Sequence, residues 1–324
     1  MLMAFEVILA HFCDWKEYDP VLLWPFRSLN SLAVTCFAIM SFYLMADSFL
    51  QRDKERFKKR LIRLFIPQIA WAFIYYFIFA TIDLFLNIGL HNGIQDLFWQ
   101  ILTGHSQYLN PTMWYQFNVI IITAIFYYIF KYFDNKRAVY ILIALMFFCY
   151  FLQFSGINRA LFENLIFELK KPLGRIAEMI PFCVIGFLLK YYDILNFLKK
   201  YRYIVMAICI ALFYIGFRIP WIEAKDFDYS GLAKPYLSLC IITFAYLCPF
   251  EYLTDNYKKF ILKISNYTLG IYCSHRLIYT LLQIFVPELA IRSFERCILI
   301  YIICYFMCLL ANKTNISLLK KITN

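Results

Sequence analysis

The 324-residue sequence predicts an all-α fold, a polytopic membrane bundle of about ten transmembrane helices. Three observations support this prediction. Hydrophobic residues make up 63% of the chain, and its mean hydropathy is +0.63. Apolar runs of about 20 residues, long enough to cross a hydrocarbon core of about 30 Å, recur along the chain. Aromatic residues form 21% of the sequence, which suits a lipid-facing bundle with interface anchors.

Hydropathy divides the chain into ten helical segments. The first segment is short, because twelve residues from Leu2 to Cys13 span only roughly 18 Å at 1.5 Å per residue. The predicted segments are residues 1–13, 29–50, 61–81, 112–133, 138–154, 176–192, 202–218, 234–252, 265–286 and 293–311.

The distribution of Lys and Arg predicts the orientation of these segments. With the N-terminus in the cytoplasm, 20 of the 32 cations fall in inner segments and 11 in outer ones, with Arg276 inside the ninth segment. Because cytoplasmic loops carry an excess of Lys and Arg, both termini are predicted to be cytoplasmic. The same bias explains the net charge of +11 better than nucleic-acid binding does.

Two long outer loops are predicted at residues 82–111 and 155–175. The first loop carries His91 and His105 but no Lys or Arg. The two histidines are fourteen residues apart and lack metal-ligand spacing, so we expect them to be solvated. The eleven cysteines form no C-x-x-C motif and lie mostly in apolar runs, which predicts neither a disulfide framework nor a metal site. We expect a single membrane domain over residues 1–324, with no appended soluble domain.

His11 lies in the first apolar segment and is the first candidate for chemistry. Ionisable side chains within a membrane are costly and are usually functional. A histidine is a natural general base for a hydroxyl proton, or a general acid for a leaving group. A histidine that merely hydrogen-bonds to a neighbouring helix is the alternative.

A cluster of cations, RDKERFKKRLIRLFIP at residues 52–67, runs into the third segment. Arg56, Arg60 and Arg63 recur at i, i+4 and i+7, which places three guanidinium groups on one helical face. Guanidinium groups suit phosphate oxygens, so these arginines are candidates for binding a phosphorylated ligand at the cytoplasmic side. The alternative is a topogenic cluster that contacts anionic membrane lipid.

Two other segments carry polar residues at membrane depth. In the ninth segment, the adjacent His275 and Arg276 point about 100° apart, so one could line a cavity while the other faces a carboxylate or snorkels. The outer end of the fourth segment carries Trp114, Gln116 and Asn118. Trp114 is an interface anchor or a contact for a sugar or acyl group, and the two amides are candidates for hydrogen bonds across helices.

Taken in order, these segments resemble the acyltransferase-3 family of bacterial integral-membrane acyltransferases, which O-acylate cell-surface glycans and related acceptors. The resemblance spans nearly the whole chain, and its most specific parts are the Lys-Arg-Leu-x-Arg stretch before P-x-x-x-W and the GIY…H pattern. The stretches that carry it are His11, FAIMSFYLM (37–45), KKRLIRLFIPQIAWAFIYY (58–76), MWYQFNVI (113–120), IPFCVIGFLLKYY (180–192) and ISNYTLGIYCSHRLI (264–278).

The resemblance implies ten core helices, an acyl-CoA co-substrate (usually acetyl-CoA) reached from the cytoplasm, and no permanently bound cofactor. The acceptor would be a sugar hydroxyl of a cell-surface polysaccharide or its lipid-linked precursor, at the plasma or inner membrane. His11 matches the catalytic histidine, Arg60 and Arg63 match an R-x-x-R motif, and Arg56 shares their predicted face as a donor-binding residue. The residues that the resemblance assigns to substrate binding are Ser41, Tyr43, Trp114, Tyr272 and His275.

The sequence departs from the family pattern at three places. Phe42 replaces the glycine of S-G-Y, and Arg276 replaces the proline that often follows the ninth-segment histidine. The family's arginine upstream of the first-helix histidine would fall one residue before Met1, so we expect the start of the first helix to be missing.

The mechanism expected from these residues is direct transfer, with His11 removing the acceptor proton and Tyr43 or Tyr272 donating to the oxyanion. A covalent acyl-enzyme remains open. Two other readings also remain: a non-enzymatic transporter of lipid or glycan, and a truncated, inactive family member. A transporter would more often show paired hydrophobic halves broken by Gly or Pro, and that pattern is absent from the sequence.

Overall fold

The computed structural model describes residues 2–14, 29, 32–86, 93–106, 108–218, 233–290, 293–314 and 316–323. It is 86% helical and contains no strand among these residues. The helices are α1 (Leu2–Phe12), α2 (Ala33–Leu50), α3 (Lys54–Leu86), α4 (Ile94–Thr103), α5 (Trp114–Tyr132), α6 (Asn135–Phe154), α7 (Ile157–Glu163), α8 (Phe167–Tyr191), α9 (Ile194–Lys199), α10 (Arg202–Arg218), α11 (Ala233–Leu247), α12 (Asp255–Ser265), α13 (Thr268–Phe285), α14 (Phe294–Lys313) and α15 (Ser317–Thr323).

Each of the ten segments predicted from hydropathy overlaps one of these helices. Five helices, α2, α3, α6, α8 and α14, are long and apolar enough to cross a membrane, and parts of α1, α10 and α11 form shorter apolar helices. The polar residues inside α5 and α13 lower the hydropathy of those two helices. The prediction of an all-α polytopic bundle is confirmed.

Helix boundaries differ from the prediction at several places, and at the starts of α3 and α8 the reason is that polar residues hide helical turns from hydropathy. α3 begins at Lys54, within the cationic cluster, rather than at residue 61. α8 begins at Phe167 rather than at residue 176, so its first turns replace part of the predicted outer loop. α11 ends at Leu247, and a short 3₁₀ turn at Phe250–Tyr252 follows it.

The tightest helix packing joins α2 and α8. A Cβ atom added to Gly186 of α8 would overlap the carbonyl oxygen of Ile39 in α2, so only glycine allows this backbone approach. Around this contact lies an apolar core in which Phe126 of α5 packs edge-on against Phe42, with ring centroids 4.7 Å apart, and against Phe187, at 6.1 Å. This core fixes α2, α5 and α8 relative to one another.

A second group of helices, α1, α3, α13 and α14, is tied together by aromatic and polar contacts. The Phe12 and Tyr279 rings stack with centroids 4.0 Å apart, which joins α1 to α13. The Tyr75 hydroxyl of α3 donates to the Cys273 carbonyl at 2.9 Å and accepts from the backbone N–H of Leu277 at 2.8 Å. These two hydrogen bonds hold α3 against the middle of α13.

The chain between α3 and α5 folds into the bundle, and the prediction that His105 is solvated is wrong. The His105 side chain is fully buried, and its Nδ1 lies 3.1 Å from the carbonyl oxygen of Pro111. Polar side chains pair within the segment or with α3: the Gln100 side chain accepts from the Asn110 backbone N–H at 3.1 Å, and Gln68 donates to Ile101 at 2.7 Å. These hydrogen bonds satisfy part of the buried polar groups, whereas Gln68 Oε1, Gln100 Nε2 and Asn110 Nδ2 have no hydrogen-bond partner among the described residues. His91, which was also predicted to be solvated, lies outside the described residues.

Candidate functional site

A cavity of about 260 Å³ lies where α1, α2, α5, α8 and α13 meet. It brings together four residues that the sequence singled out, His11, Trp114, Tyr272 and Arg276, which come from three different helices. The described residues that line it are Val7, His11, Val34, Pro111, Thr112, Trp114, Lys171, Arg175, Tyr272 and Arg276.

His11 occupies the last turn of α1 and stacks on a second histidine. Its ring centroid lies 5.7 Å from that of His275, with an angle of 26° between the planes. His275 is fully buried, and its Nδ1 lies 2.6 Å from the Tyr272 carbonyl oxygen. A carbonyl can only accept, so Nδ1 carries the proton and Nε2 is left as an acceptor. His275 Nε2 has no hydrogen-bond partner among the described residues.

His275 therefore lies behind His11 and is not among the described residues that line the cavity. The sequence placed it among the substrate-binding residues, and that assignment stays a prediction. What the structure shows is a direct contact with His11, which suits a residue that holds the His11 ring in place.

Tyr272 connects α13 to the segment that precedes α5. Its hydroxyl donates to the carbonyl oxygen of Thr112, two residues before Trp114. The side chains of Tyr272 and Trp114 are 6% and 7% exposed, so both face the cavity rather than bulk solvent. This hydrogen bond fixes where the aromatic start of α5 lies along the length of α13.

Three cations line the cavity, and the sequence analysis identified only Arg276 as a candidate for that position. Lys171 and Arg175 belong to the early turns of α8, which hydropathy assigned to a loop. The Arg175 guanidinium lies 5.5 Å from the centre of the Trp114 ring, and its Nη1 is 2.7 Å from Oε2 of Glu178. Lys171, Arg175 and Glu178 lie at i, i+4 and i+7 of α8, directly before an apolar run. This spacing is the signal that could have revealed the helix.

The predicted arginine face lies away from this cavity and is not uniform. Arg60 is partly buried and donates to the Ser41 hydroxyl of α2, which joins a predicted donor-binding residue to a predicted substrate-binding residue. Arg56 is exposed, and its Nε lies 3.2 Å from Oδ2 of Asp53. Arg63 is also exposed. The structure thus brings Arg60, and not Arg56, against α2.

Tyr115 neighbours Tyr272, one of the residues that line the His11 cavity. Its hydroxyl is within electrostatic range of the Arg60 guanidinium. Its ring centroid is 6.1 Å from that of Tyr272, with the rings nearly perpendicular. The neighbouring Gln116 donates to the Leu64 carbonyl, which holds the start of α5 against α3. Tyr115 and Gln116 thus link the start of α5 to Tyr272 of α13 and to α3.

Tyr43 lies in a different environment from Tyr272. Its ring is 6.0 Å from that of Tyr246 in α11, and the Lys190 ammonium group lies 5.8 Å from its centre. Tyr43 is not among the described lining residues of the cavity. Of the two tyrosines offered as oxyanion donors, only Tyr272 reaches the space in front of His11.

Comparison with known proteins gives one match. The family model described as an acyltransferase domain matches residues 1–313, which is nearly the whole chain. No protein of curated function and no solved structure matches the sequence.

Proposed function

The chain belongs to the acyltransferase-3 family and is a multi-pass membrane acyltransferase, and we propose that it transfers an acyl group, acetyl in the simplest case, from acyl-CoA to a sugar hydroxyl. The acceptor in this proposal is a cell-surface polysaccharide or its lipid-linked precursor, modified at the plasma or inner membrane. The observation that carries the proposal is the position of His11, which lines a cavity together with Trp114 and Tyr272.

The donor in this proposal enters from the cytoplasm, where both chain termini lie. Arg60 and Arg63 bind the phosphates of acyl-CoA through charge-assisted hydrogen bonds, and Arg56 adds positive charge further out. The pantetheine arm then runs past Ser41 and Tyr115 toward the cavity. The contact between Arg60 and Ser41 supports this path, because it holds the guanidinium group at the junction of α2 and α3.

The transfer step needs a base, an acceptor oxygen and the thioester carbon in one place. His11 takes the proton of the acceptor hydroxyl while that oxygen forms a bond to the thioester carbonyl carbon. The C–S bond then breaks, the acyl ester is complete, and the His11 imidazolium returns the proton to the departing CoA thiolate. His275 acts as a positioning residue, because its ring stacks on the ring of His11.

The negative charge that develops on the carbonyl oxygen requires a hydrogen-bond donor. Tyr272 is our choice, since it lines the cavity beside His11 and its hydroxyl can turn from the Thr112 carbonyl to the oxyanion. The described lining residues include neither Ser nor Cys, which supports direct transfer rather than a covalent acyl-enzyme.

The proposal is tested by supplying [¹⁴C]acetyl-CoA to membranes from cells with and without the gene. We expect label to enter the surface glycan or its lipid-linked precursor only when the protein is present, with mass spectrometry showing an added acetyl ester. Equal labelling of both membranes, or label confined to phospholipid, would contradict the proposed acceptor. An absence of CoA release with acetyl-CoA and with longer acyl-CoA donors would contradict the donor.

A further inference from the structure

The cavity around His11 carries an excess of positive charge. Lys171, Arg175 and Arg276 line it, whereas no Asp or Glu is among its described lining residues. Arg175 is partly compensated by its ion pair with Glu178. Lys171 and Arg276 form no hydrogen bond and no ion pair among the described residues. Two cations in this cavity therefore have no counter-ion among the described residues.

Uncompensated cations are unfavourable inside a membrane protein, because burial removes water from the charge without supplying a counter-ion. The Arg276 guanidinium lies 5.9 Å from the centres of both the Phe12 and Tyr279 rings. Such cation–π contacts offset only part of the desolvation of the guanidinium. Lys171 lacks even this contact among the described aromatic residues. An anion bound between the two cations would offset the remaining penalty.

We propose that the acceptor carries a carboxylate or a phosphate close to the hydroxyl that is acylated, and that Lys171 and Arg276 bind this anion. This inference rests on the proposed function, since it identifies the class of acceptor for the same site. The phosphates of the donor are assigned to Arg60 and Arg63, which do not line the cavity. A separate anion is needed for the cations beside His11.

The placement of the residues supports one bound group that engages both the cations and the base. Lys171 comes from α8, Arg276 from α13 and His11 from α1, so the anion site and the base lie on different walls of the same space. Because that space measures only about 260 Å³, a sugar that reaches His11 also comes within reach of the cations. Binding of its acidic group would orient the hydroxyl toward His11.

The test uses surface glycan extracted from the source cells as acceptor and [¹⁴C]acetyl-CoA as donor, with the full-length protein in membrane vesicles. One portion of the glycan is amidated to remove carboxylate charge, and a second is treated with phosphatase. We expect one treatment to raise the acceptor KM for the wild-type protein at least about tenfold. The treatment that does so identifies the anion as a carboxylate or as a phosphate.

Protein variants locate the site. Lys171→Met and Arg276→Met should each raise the acceptor KM at least about tenfold while the KM for acetyl-CoA stays within twofold. Lys171→Arg should keep most of the wild-type affinity. The matched control is Lys170→Met, because Lys170 is exposed and contacts the Glu163 carbonyl outside the cavity.

Two results would overturn the anionic acceptor. One is equal acylation of untreated, amidated and dephosphorylated glycan; the other is a rise in the KM for acetyl-CoA, rather than for glycan, in the Lys171 and Arg276 variants. Binding of radiolabelled glycan to the protein without acetyl-CoA separates this inference from the proposed function. The wild-type protein could transfer no label and still bind glycan about tenfold more tightly than Lys171→Met does. That result would contradict the proposed acyl transfer and support the proposed anion site.

Discussion

The two halves of the bundle are built from similar apolar helices, yet they are held together in different ways. The half around α2, α5 and α8 has an apolar core, and Gly186 lets two helix backbones touch. The half around α1, α3 and α13 is joined by polar contacts, among them those of Tyr75 and Tyr272. The base His11 lies in the polar half, where partners on neighbouring helices stabilise polar groups, and the cavity lies where the two halves meet.

α8 belongs to both halves. Near Gly186 it packs directly on α2, while its earlier turns carry Lys171 and Arg175 into the cavity. A rigid apolar contact in one part of the helix thus positions charges in another part. The apolar half thus fixes the geometry, while the chemistry comes from the polar half together with the cations of α8.

The largest expected effect is on stability, in the apolar half. Gly186→Ala should destabilise the protein by about 1–3 kcal/mol or more, because the added methyl group meets backbone atoms of Ile39 that cannot move aside. The measurement is the melting temperature of detergent-extracted protein, together with the fraction that is monodisperse.

Gly174→Ala is the matched control in the same helix. A Cβ atom there would lie 3.9 Å from the nearest side-chain atom of Phe162, an ordinary contact. Because both substitutions gain the same helix propensity, the difference between them isolates the backbone contact. Equal melting temperatures for the two variants would show that α2 and α8 are not packed as described.

The next effect is on donor binding and should leave the fold intact. Arg60→Ala should raise the KM for acetyl-CoA about 10- to 100-fold, since a charge-assisted phosphate contact is lost. Arg56→Ala should have a smaller effect, because Arg56 is exposed and paired with Asp53. Arg137→Ala, which removes a similar exposed pair with Asp134, serves as control. Equal effects of Arg56→Ala and Arg60→Ala would favour the uniform arginine face predicted from sequence.

The smallest effect concerns pH and the buried segment before α5. Burial, and to a smaller extent the charge of Lys171, lower the pKa of His105 from 6.5 to about 4, while the hydrogen bond to Pro111 acts in the opposite direction. The unfolded chain therefore binds more protons than the folded one between pH 6.5 and 4, so stability should fall as pH falls through that window.

His105→Gln tests this pH dependence, because glutamine can still donate to the Pro111 carbonyl but does not titrate. Melting curves from pH 7 to pH 4 should show a weaker loss of stability in the variant than in the wild type. Parallel curves would show that His105 titrates with an ordinary pKa and is not buried as described.

Much of the fold could be predicted from the sequence, because long apolar runs identify membrane helices. The same criterion fails where polar residues are buried: it assigned Lys171 to a loop and led to the wrong expectation that His105 is solvated. Both errors share a cause. Hydropathy treats a polar residue as exposed, whereas here tertiary hydrogen bonds or a cavity accommodate it.

The candidate site was predictable in part. His11, Trp114 and Tyr272 were singled out from sequence, and the structure places all three on one cavity. The separation of Tyr43 from this group could not be foreseen, since it depends on which face of α2 meets α11. The contact between His11 and His275 was equally hidden, because spacing along the chain does not report distances between helices.

The most direct test of the central claim is the rate of acyl transfer by His11→Gln under single-turnover conditions. Transfer from [¹⁴C]acetyl-CoA to surface glycan should fall about 10²- to 10⁴-fold while acetyl-CoA binding is retained, because glutamine cannot accept the hydroxyl proton. His105→Gln, assayed at neutral pH, is the control for replacing a buried histidine. A His11→Gln rate within a few-fold of the wild type would contradict the assignment of His11 as the base.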